Sequence, residues 1–543
     1  MIDAMLATEK VRRETGLAHV FASLNILTPY GQKQLRELKP FFPGQEEQLK
    51  EEFERTEKIG EIIARDARRT GELKETLMLV KDNTLSIEKS KDSVLTVVEL
   101  FELKVLLLQM EKIRKMDETE HFPPEFVPYD VTPLLDRLDP DGGRISTFFI
   151  YDSFSETLAD LRRRRKEAER QIRKLQKQKA TWLRKKDGIA LTPKFEIQVS
   201  KADRDRIKMI EDNPALEKAG EDYMSITWRL AGDEETDRYT REVEDCTEQI
   251  EREEYKVRRW LSAHVGGHRK ALLEATQKIG ALDMAIAKAE YAKEHDCCIP
   301  EIPMEHEIAF TDGRHLQVEE VLKKDGSEYC PISIELADGV TCITGANMGG
   351  KTISLKLVGL VTLMAQYGLP VPCKAARIGL CSSVRILIGD SQSIERGLSS
   401  FGSEMEELKK MLDESEDRAL LLIDEIASGT NPSEGLALTR AIIDHLKQEA
   451  FITLITTHFE RFSEGSEIVN LQVTGLANAD LSQLDTQLKA ADGRERVGVI
   501  RRFMDYRLQR VDGKADVPHD ALHIAQMLGI GSDIINKAKD YLR

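Results

Sequence analysis

The sequence has few aromatic side chains, no pair of cysteines in a C-x-x-C spacing and no long apolar run. Aromatic residues make up 6% of the 543 residues and charged residues 32%, which favours long solvated helices joined to a globular part over a compact all-β fold. The spacing of the seven cysteines excludes a zinc knuckle and indicates reduced thiols. No stretch approaches the length that crosses a bilayer, so we expect a soluble, cytoplasmic protein without membrane association.

A basic excess is also missing from the chain as a whole, because its net charge is −16. Phosphate binding needs a basic surface, so the charge excludes a protein that coats nucleic acid over its whole surface. A local basic run nevertheless occurs between residues 161 and 186. Its cations are Arg162, Arg163, Arg164, Arg165, Lys166, Arg170, Arg173, Lys174, Lys177, Lys179, Arg184, Lys185 and Lys186.

This basic run has two interpretations that the sequence leaves open. It predicts a phosphate-binding surface with salt-sensitive affinity, to which Trp182 would add stacking on bases. It is equally typical of a solvated helix face whose charge is balanced by the acidic segment 242–254.

Patterns along the chain predict helices in front and an α/β nucleotide-binding domain behind. Helical periodicity dominates the first part, and a Pro- and Gly-rich connector lies at 121–143. Further on, short β-branched runs alternate with helices. The expected segments are a helical core at 1–150, two antiparallel helical arms at 151–299 with a small, partly β tip at about 187–236, an ATPase domain at 300–480 and a helical, dimerising tail at 481–543.

The sharpest motif follows a predicted strand at 340–344. Glycines let a loop curl until its backbone N–H groups point at phosphate oxygens, and the helix that follows adds its N-terminal dipole. Lys351 would place its charge at the β and γ phosphates, and Thr352 would hold Mg²⁺. The motif therefore predicts an ATP and magnesium site. The matching run is Gly345-Ala346-Asn347-Met348-Gly349-Gly350-Lys351-Thr352.

Two later strands carry the other groups that hydrolysis needs. The apolar run 420–423 ends in Asp424 and Glu425, which predicts that Asp424 orders the magnesium and Glu425 polarises the attacking water. His458 follows the next strand, where it would hydrogen-bond the γ phosphate. The order of the three motifs indicates an ABC-type P-loop ATPase. Because both the P-loop and the Asp-Glu strand follow the arms, the arrangement of SMC proteins is excluded.

The motifs resemble those of the MutS family. The pair Asn347-Met348 is the distinctive part of the P-loop, the run 424–435 is similar to the family's Walker B strand and following loop, and 313–315, Gly-Arg-His, is similar to its entry motif. The resemblance extends to the helical core, arms and tail. It therefore covers nearly the whole chain.

The resemblance implies further nucleotide-binding residues and a dimer. Tyr329 stands where MutS proteins place an aromatic that stacks on adenine, and Gln392 lies in a segment similar to the loop that links the nucleotide to the rest of the protein. Ser399 and Ser400 belong to a run like the family's signature segment, whose serine approaches the γ phosphate bound by the other subunit. A composite site of this kind implies a homodimer, since the chain has one set of motifs.

The chain departs from the family pattern at both ends. The helical core begins almost at the first residue, so we expect no mismatch-recognition domain in front, and we expect no nuclease domain after Arg543. We expect a homodimeric ATPase that couples ATP and Mg²⁺ to clamping of DNA between its arms, without mismatch specificity. The alternative is a chaperone-like ATPase that remodels a protein client such as a cobalamin-dependent aminomutase, which the overall acidity would suit. A switch that hardly hydrolyses ATP is disfavoured by Glu425 and His458.

Overall fold

The chain folds into a helix-rich structure with a mixed sheet, which agrees with the coarse expectation. Contacts group it into two compact units: unit 1 comprises Met1–Met78, Glu120–Phe126 and Ile279–Arg543, and unit 2 comprises Leu79–Thr119 and Val127–Lys278. No helix among the residues described is long and apolar enough to cross a membrane. The computed structural model describes residues 5–345, 350–389, 400–427, 429–457, 468–476, 479–490, 498–499, 502–511, 522, 525–526 and 530–541.

Short helices with defined caps open unit 1. The Thr8 and Thr28 hydroxyls each accept a backbone N–H at a helix start, and Pro29 occupies a first turn, where its missing N–H costs nothing. The buried Asp283 carboxylate accepts the Thr28 N–H at 2.7 Å and so anchors this segment. The helices are α1 (Glu9–Glu14), α2 (Leu17–Ser23), α3 (Pro29–Arg36), α4 (Glu46–Arg65) and α5 (Ala67–Met78).

Unit 2 contains a long antiparallel helix pair. Arg162 pairs with Glu254 at 2.7 Å and Lys179 with Asp233 at 2.5 Å, so partners on the second helix run backwards as the first advances. A small antiparallel sheet in the order β1-β3-β2 lies between the two helices in sequence. The elements are α6 (Thr84–Lys89), α7 (Val97–Glu120), α8 (Thr132–Leu138), α9 (Glu156–Lys186), β1 (Glu196–Ser200), α10 (Arg204–Glu211), β2 (Leu216–Glu221), β3 (Ser225–Leu230) and α11 (Glu234–Gly267).

A buried ion pair in unit 2 involves the end of the Pro- and Gly-rich connector. Lys104 of α7 is fully buried, and its Nζ donates to Asp139 Oδ1 at 2.9 Å, to Thr147 O at 2.9 Å and to Tyr151 Oη at 3.0 Å. Burial alone would raise the pKa of Asp139, but the hydrogen bond from Lys104 contributes to a net lowering. The ammonium thus ties one helix to Asp139 of the connector and to Thr147 and Tyr151 just after it.

Changing Lys104 to Met is expected to lower the free energy of unfolding of unit 2 by about 3–5 kcal/mol, because it leaves the buried Asp139 carboxylate without its cation. Urea unfolding followed by tryptophan fluorescence measures this, since all three tryptophans lie between residues 182 and 260. The control is Lys115→Met on the same helix, whose pair with Glu111 is exposed on the lysine side and should contribute less than about 1 kcal/mol. Equal effects of the two changes would contradict the prediction.

The remainder of unit 1 is built on a six-stranded sheet in the order β12-β11-β6-β10-β9-β8. The five strands from β11 to β8 are parallel, and β12 pairs antiparallel at the edge. The inner strands are buried along nearly every residue, which explains their continuous apolar runs. A second sheet, β5-β4-β7, is antiparallel. The elements are α12 (Arg269–Glu294), β4 (Glu307–Gly313), α13 (Leu316–Lys324), β5 (Ile332–Ala337), β6 (Gly339–Thr344), α14 (Gly350–Gln366), β7 (Ala375–Ile378), β8 (Val384–Ile388), α15 (Ser400–Asp413), β9 (Leu420–Asp424), α16 (Pro432–Leu446), β10 (Ile452–Thr456), β11 (Val469–Gly475), α17 (Leu481–Ala490), β12 (Asp505–Arg510) and α18 (Ser532–Tyr541).

Two boundaries between the compact units fall within helices. Helix α7 begins in unit 2 and ends in unit 1, and α12 does the same. A helix of 24 or 26 residues is about 36–39 Å long, enough to belong to two compact bodies. The division into a helical core, arms, an ATPase domain and a tail therefore remains a prediction from the sequence.

Candidate nucleotide site

The motif-bearing strands end side by side. In the parallel register, Thr456 at the end of β10 lies opposite Ile343 of β6 on one side and opposite Asp424 of β9 on the other. Ligands of open α/β sheets bind at the carboxyl ends of the strands. The topology therefore brings the start of the P-loop helix and the Asp-Glu pair to one edge of the sheet.

A chain of hydrogen bonds joins the two predicted magnesium residues. The Thr352 hydroxyl donates to Asp424 Oδ2 at 2.9 Å, and the Thr456 hydroxyl donates to Asp424 Oδ1 at 2.5 Å. One hydroxyl and one carboxylate are oxygen donors of the kind that Mg²⁺ accepts when phosphates and water complete its shell. Thr352 and Asp424 therefore fit the metal role predicted for them.

Lys351 is held inside the site. Its side chain is 4% exposed, and Nζ donates to Gly345 O at 2.8 Å and lies 3.9 Å from Glu425 Oε1. Burial lowers the pKa of Lys351, while the charges of Glu425 and Asp424 act in the opposite direction. The ammonium is thus placed between the loop backbone and the predicted catalytic carboxylate.

The backbone after β9 adopts an unusual conformation that fixes Glu425. Glu425 and Ala427 have φ values of +55° and +58°, a left-handed conformation that costs about 1–3 kcal/mol for a residue with a side chain. The Glu425 N–H donates to the Thr456 hydroxyl at 3.1 Å, and the Ala427 N–H donates to Glu404 Oε1 at 2.6 Å. Burial raises the pKa of Glu404. Thr456 and Glu404 therefore hold the turn that aims Glu425.

Two P-loop positions favour glycine for different reasons: one for its backbone conformation and the other for the lack of space for a side chain. Gly345 has φ +133°, which other residues rarely adopt. A Cβ on Gly350 would lie 2.8 Å from Tyr506 Cδ1, so the ring of Tyr506 packs on the first residue of α14. Because Tyr506 belongs to the edge strand β12, no motif near the P-loop pointed to it.

Three supporting residues were thus missed by sequence reasoning: Thr456, Glu404 and Tyr506. Thr456 could have been found from the sequence, because it ends strand β10, which lies next to the strand β9 that ends in Asp424. Glu404 and Tyr506 reach the site only through tertiary packing. Among the other predicted residues, Tyr329 is half-buried, and its hydroxyl has no hydrogen-bond partner in the described part of the chain. Burial raises the pKa of Tyr329.

Several predicted residues cannot be placed relative to this geometry. Ser400 is the first residue of α15, and its side chain lies outside the described structure. The predicted residues outside the described ranges are Ala346, Asn347, Met348, Gly349, Gln392, Ser399 and His458.

Changing Thr456 to Val is expected to raise the Mg²⁺ concentration needed for half-maximal ATP hydrolysis by about 10–100-fold, because a hydrogen bond to a charged group contributes about 1.5–3 kcal/mol. A magnesium titration of the ATPase rate measures the shift. Thr453→Val is the matched control, since this buried hydroxyl of the same strand has no partner among the described residues. An unchanged magnesium dependence in the Thr456 variant would show that Asp424 is oriented without it.

Comparison with known proteins supports the same interpretation of this domain. Residues 341–543 match the family model described as MutS domain V. The chain is 34% identical over 287 residues to an endonuclease MutS2 of Agathobacter rectalis, a match that covers 52% of this chain and 33% of that protein. It is 34% identical over 289 residues to an endonuclease MutS2 of Symbiobacterium thermophilum, covering 52% and 32%.

A third relative, an endonuclease MutS2 of Fusobacterium nucleatum, is 33% identical over 269 residues, which cover 49% of this chain and 31% of that protein. The chain spans about a third of the length of these curated relatives. The family model covers Lys351, Thr352, Asp424 and Glu425, the four residues that the site brings together. Residues 341–543 are therefore similar to MutS domain V.

Proposed function

We propose that this protein is an ABC-type ATPase that binds and hydrolyses ATP with Mg²⁺. The observation that carries the proposal is the convergence of Lys351 and Thr352, at the start of α14, with Asp424 and Glu425, at the end of β9. Phosphoryl transfer depends mainly on positioning and charge stabilisation. These four side chains supply a cation, two metal-binding oxygens and a carboxylate within one small region.

Each residue has a distinct task in hydrolysis. Lys351, freed from the Gly345 carbonyl by a bound phosphate, would neutralise the β and γ phosphates. Magnesium, held by Thr352 and Asp424, would supply charge neutralisation on the phosphate oxygens. Glu425, aimed by its fixed backbone, would accept a hydrogen bond from the attacking water and orient it. His458 would contact the γ phosphate, and the serines Ser399 and Ser400 would act across a homodimer.

We further propose DNA as the partner that the arms clamp, because the cations of α9 fall into two groups. In the proximal group, nearby carboxylates pair with Arg162, Arg163, Arg164, Arg165 and Arg170. In this half of the helix, the positive charge is therefore balanced by neighbouring carboxylates. The distal group consists of exposed cations for which the described structure shows no ion pair: Arg173, Lys174, Lys177, Arg184, Lys185 and Lys186.

The distal cations form one surface with an aromatic side chain. Arg173, Lys174, Lys177 and Lys185 line a shallow groove together with Trp182, whose side chain is 48% exposed. Lys186 Nζ lies 4.4 Å from the centre of the Trp182 ring. Cations spaced along a helix beside an exposed ring suit a phosphate backbone and its bases. The relatives' printed name, endonuclease, also indicates proteins that act on nucleic acid.

The test is binding of the full chain to duplex and branched DNA over a salt series, with and without ATP. Tight binding that falls steeply with salt and changes with nucleotide is the expected result. Absence of binding at low salt would overturn the DNA proposal and leave the protein client, which the net charge of −16 suits. The ATPase proposal is tested separately by hydrolysis without DNA.

A further inference from the structure

The last turns of α9 carry a row of exposed side chains on one face of the helix. Residues four apart lie on the same face of an α-helix, and Lys174, Gln178, Trp182 and Lys186 recur at this spacing. All four are exposed, and Lys186 is the last residue of the helix. The row therefore combines two cations with an exposed ring and an exposed amide.

The groove along this face suits nucleic acid better than a protein partner. It has a volume of about 700 Å³. Among the residues described, no carboxylate lines the groove, and Trp182 is its one apolar side chain. A protein partner usually meets an apolar patch with several aromatic side chains at the centre of the interface. Five cations, an amide, a hydroxyl and a single ring instead suit a charged backbone that carries flat bases.

The indole ring of Trp182 is held with one side towards the groove. Lys186 Nζ lies 4.4 Å from the centre of the ring, in a cation–π contact. Lys186 is not one of the residues that line the groove, so the ring turns towards the groove the side away from this cation. Tryptophan is highly buried on average, yet Trp182 is 48% exposed. The ring is therefore oriented to accept a flat partner from the groove.

We propose that Trp182 stacks on an unpaired base, so that the groove of α9 takes a single-stranded segment of DNA. The inference rests on the proposed function, in which the arms bind DNA. Within a duplex, both faces of a base are stacked on its neighbours, whereas an unpaired base offers a face to a side chain. Lys174 and Lys177, within about 12 Å of Trp182 along the helix axis, would neutralise neighbouring phosphates. The Gln178 amide would hydrogen-bond the edge of the base.

Trp182→Leu is expected to weaken binding of an oligothymidylate by at least about five-fold, because it removes the stacking of one base. Affinity for a blunt duplex of the same length should change by less than about two-fold. Because the variant loses no charge, the slope of log affinity against log salt concentration should stay the same for both DNAs. Trp182→Phe keeps an aromatic face and should recover part of the affinity. Fluorescence anisotropy of labelled DNA with the full chain, with and without ATP, measures these values.

Trp260→Leu is the matched control. Trp260 of α11 is 47% exposed, close to the value for Trp182, but the groove that it lines also contains Asp136 and Glu253, which repel phosphate. Its replacement should leave both affinities unchanged. A Trp260→Phe protein also gives a direct signal, because its other remaining tryptophan, Trp228, is only 5% exposed. Quenching of its fluorescence by a stacked base would therefore come from Trp182.

The expected result is quenching by the oligothymidylate and not by the duplex, together with a loss of affinity in Trp182→Leu that is confined to the single strand. Retained duplex binding shows that this variant is folded. Equal losses for the two DNAs, an unchanged affinity for the single strand, or the same loss in Trp260→Leu would overturn the inference and leave the DNA proposal standing. Failure of the wild-type chain to bind either DNA at low salt would refute the DNA proposal and this inference together.

Discussion

Changing Glu425 to Gln is expected to lower the steady-state rate of ATP hydrolysis by about 10²–10⁴-fold, the usual contribution of a positioned general base. Gln has nearly the same size as Glu and can occupy the same position, where Glu425 Oε1 lies 3.9 Å from Lys351 Nζ. However, Gln is neutral and is a far weaker hydrogen-bond acceptor for the attacking water. The hydrogen bond to the Thr456 hydroxyl comes from the Glu425 backbone N–H and does not involve the Glu425 side chain. The conformation of the turn should therefore be unchanged. ATP binding should therefore be retained.

The measurement is phosphate release under saturating ATP and magnesium, with nucleotide affinity determined in parallel. Glu416→Gln is a suitable control, because Glu416 is an exposed carboxylate shortly before β9 and should leave the rate unchanged. A Glu425 variant that hydrolyses ATP at the wild-type rate would remove this residue from the mechanism and move the role of base to another group.

The second large effect concerns DNA affinity. Changing Arg173, Lys174 and Lys177 to Gln is expected to make the negative slope of log affinity against log salt concentration less steep by about 2.7, since each phosphate contact contributes about −0.9 to the slope. These three cations are exposed and have no carboxylate partner within the described structure, so their whole charge is available to phosphate. The affinity for DNA at low salt should also fall, because fewer phosphates are neutralised.

The matched control is the same triple change on the same helix at Arg163, Arg164 and Arg165. These arginines pair with Asp160, Glu242 and Glu169 at 2.5, 3.3 and 3.5 Å, so their charge is already partly neutralised. The net charge change is identical in the two variants, which removes the general electrostatic effect from the comparison. Equal slopes in the two triple variants would contradict a distal DNA-binding surface.

Much of the nucleotide site could be predicted from sequence because its signals are local. The P-loop needs a strand, a glycine-rich turn and a helix in direct succession, and β6 and α14 stand in this order. The Asp-Glu pair needs only an apolar strand that ends in carboxylates, as β9 does. The antiparallel edge strand β12 and its Tyr506 gave no comparable signal, because β12 joins the sheet by pairing with β11.

The sequence by itself determined the P-loop, the Asp-Glu strand and a strong basic run in α9, since each depends on neighbours within a few residues. Only the tertiary structure decided which cations of that run are neutralised. The antiparallel register of α9 and α11 places Glu242 and Glu254 against the proximal arginines, and these partners are 78 and 92 residues apart in the chain. Charge pairing depends on distance in space. Which cations are neutralised by carboxylates, and which can still bind phosphate, is therefore decided only when the two helices pack.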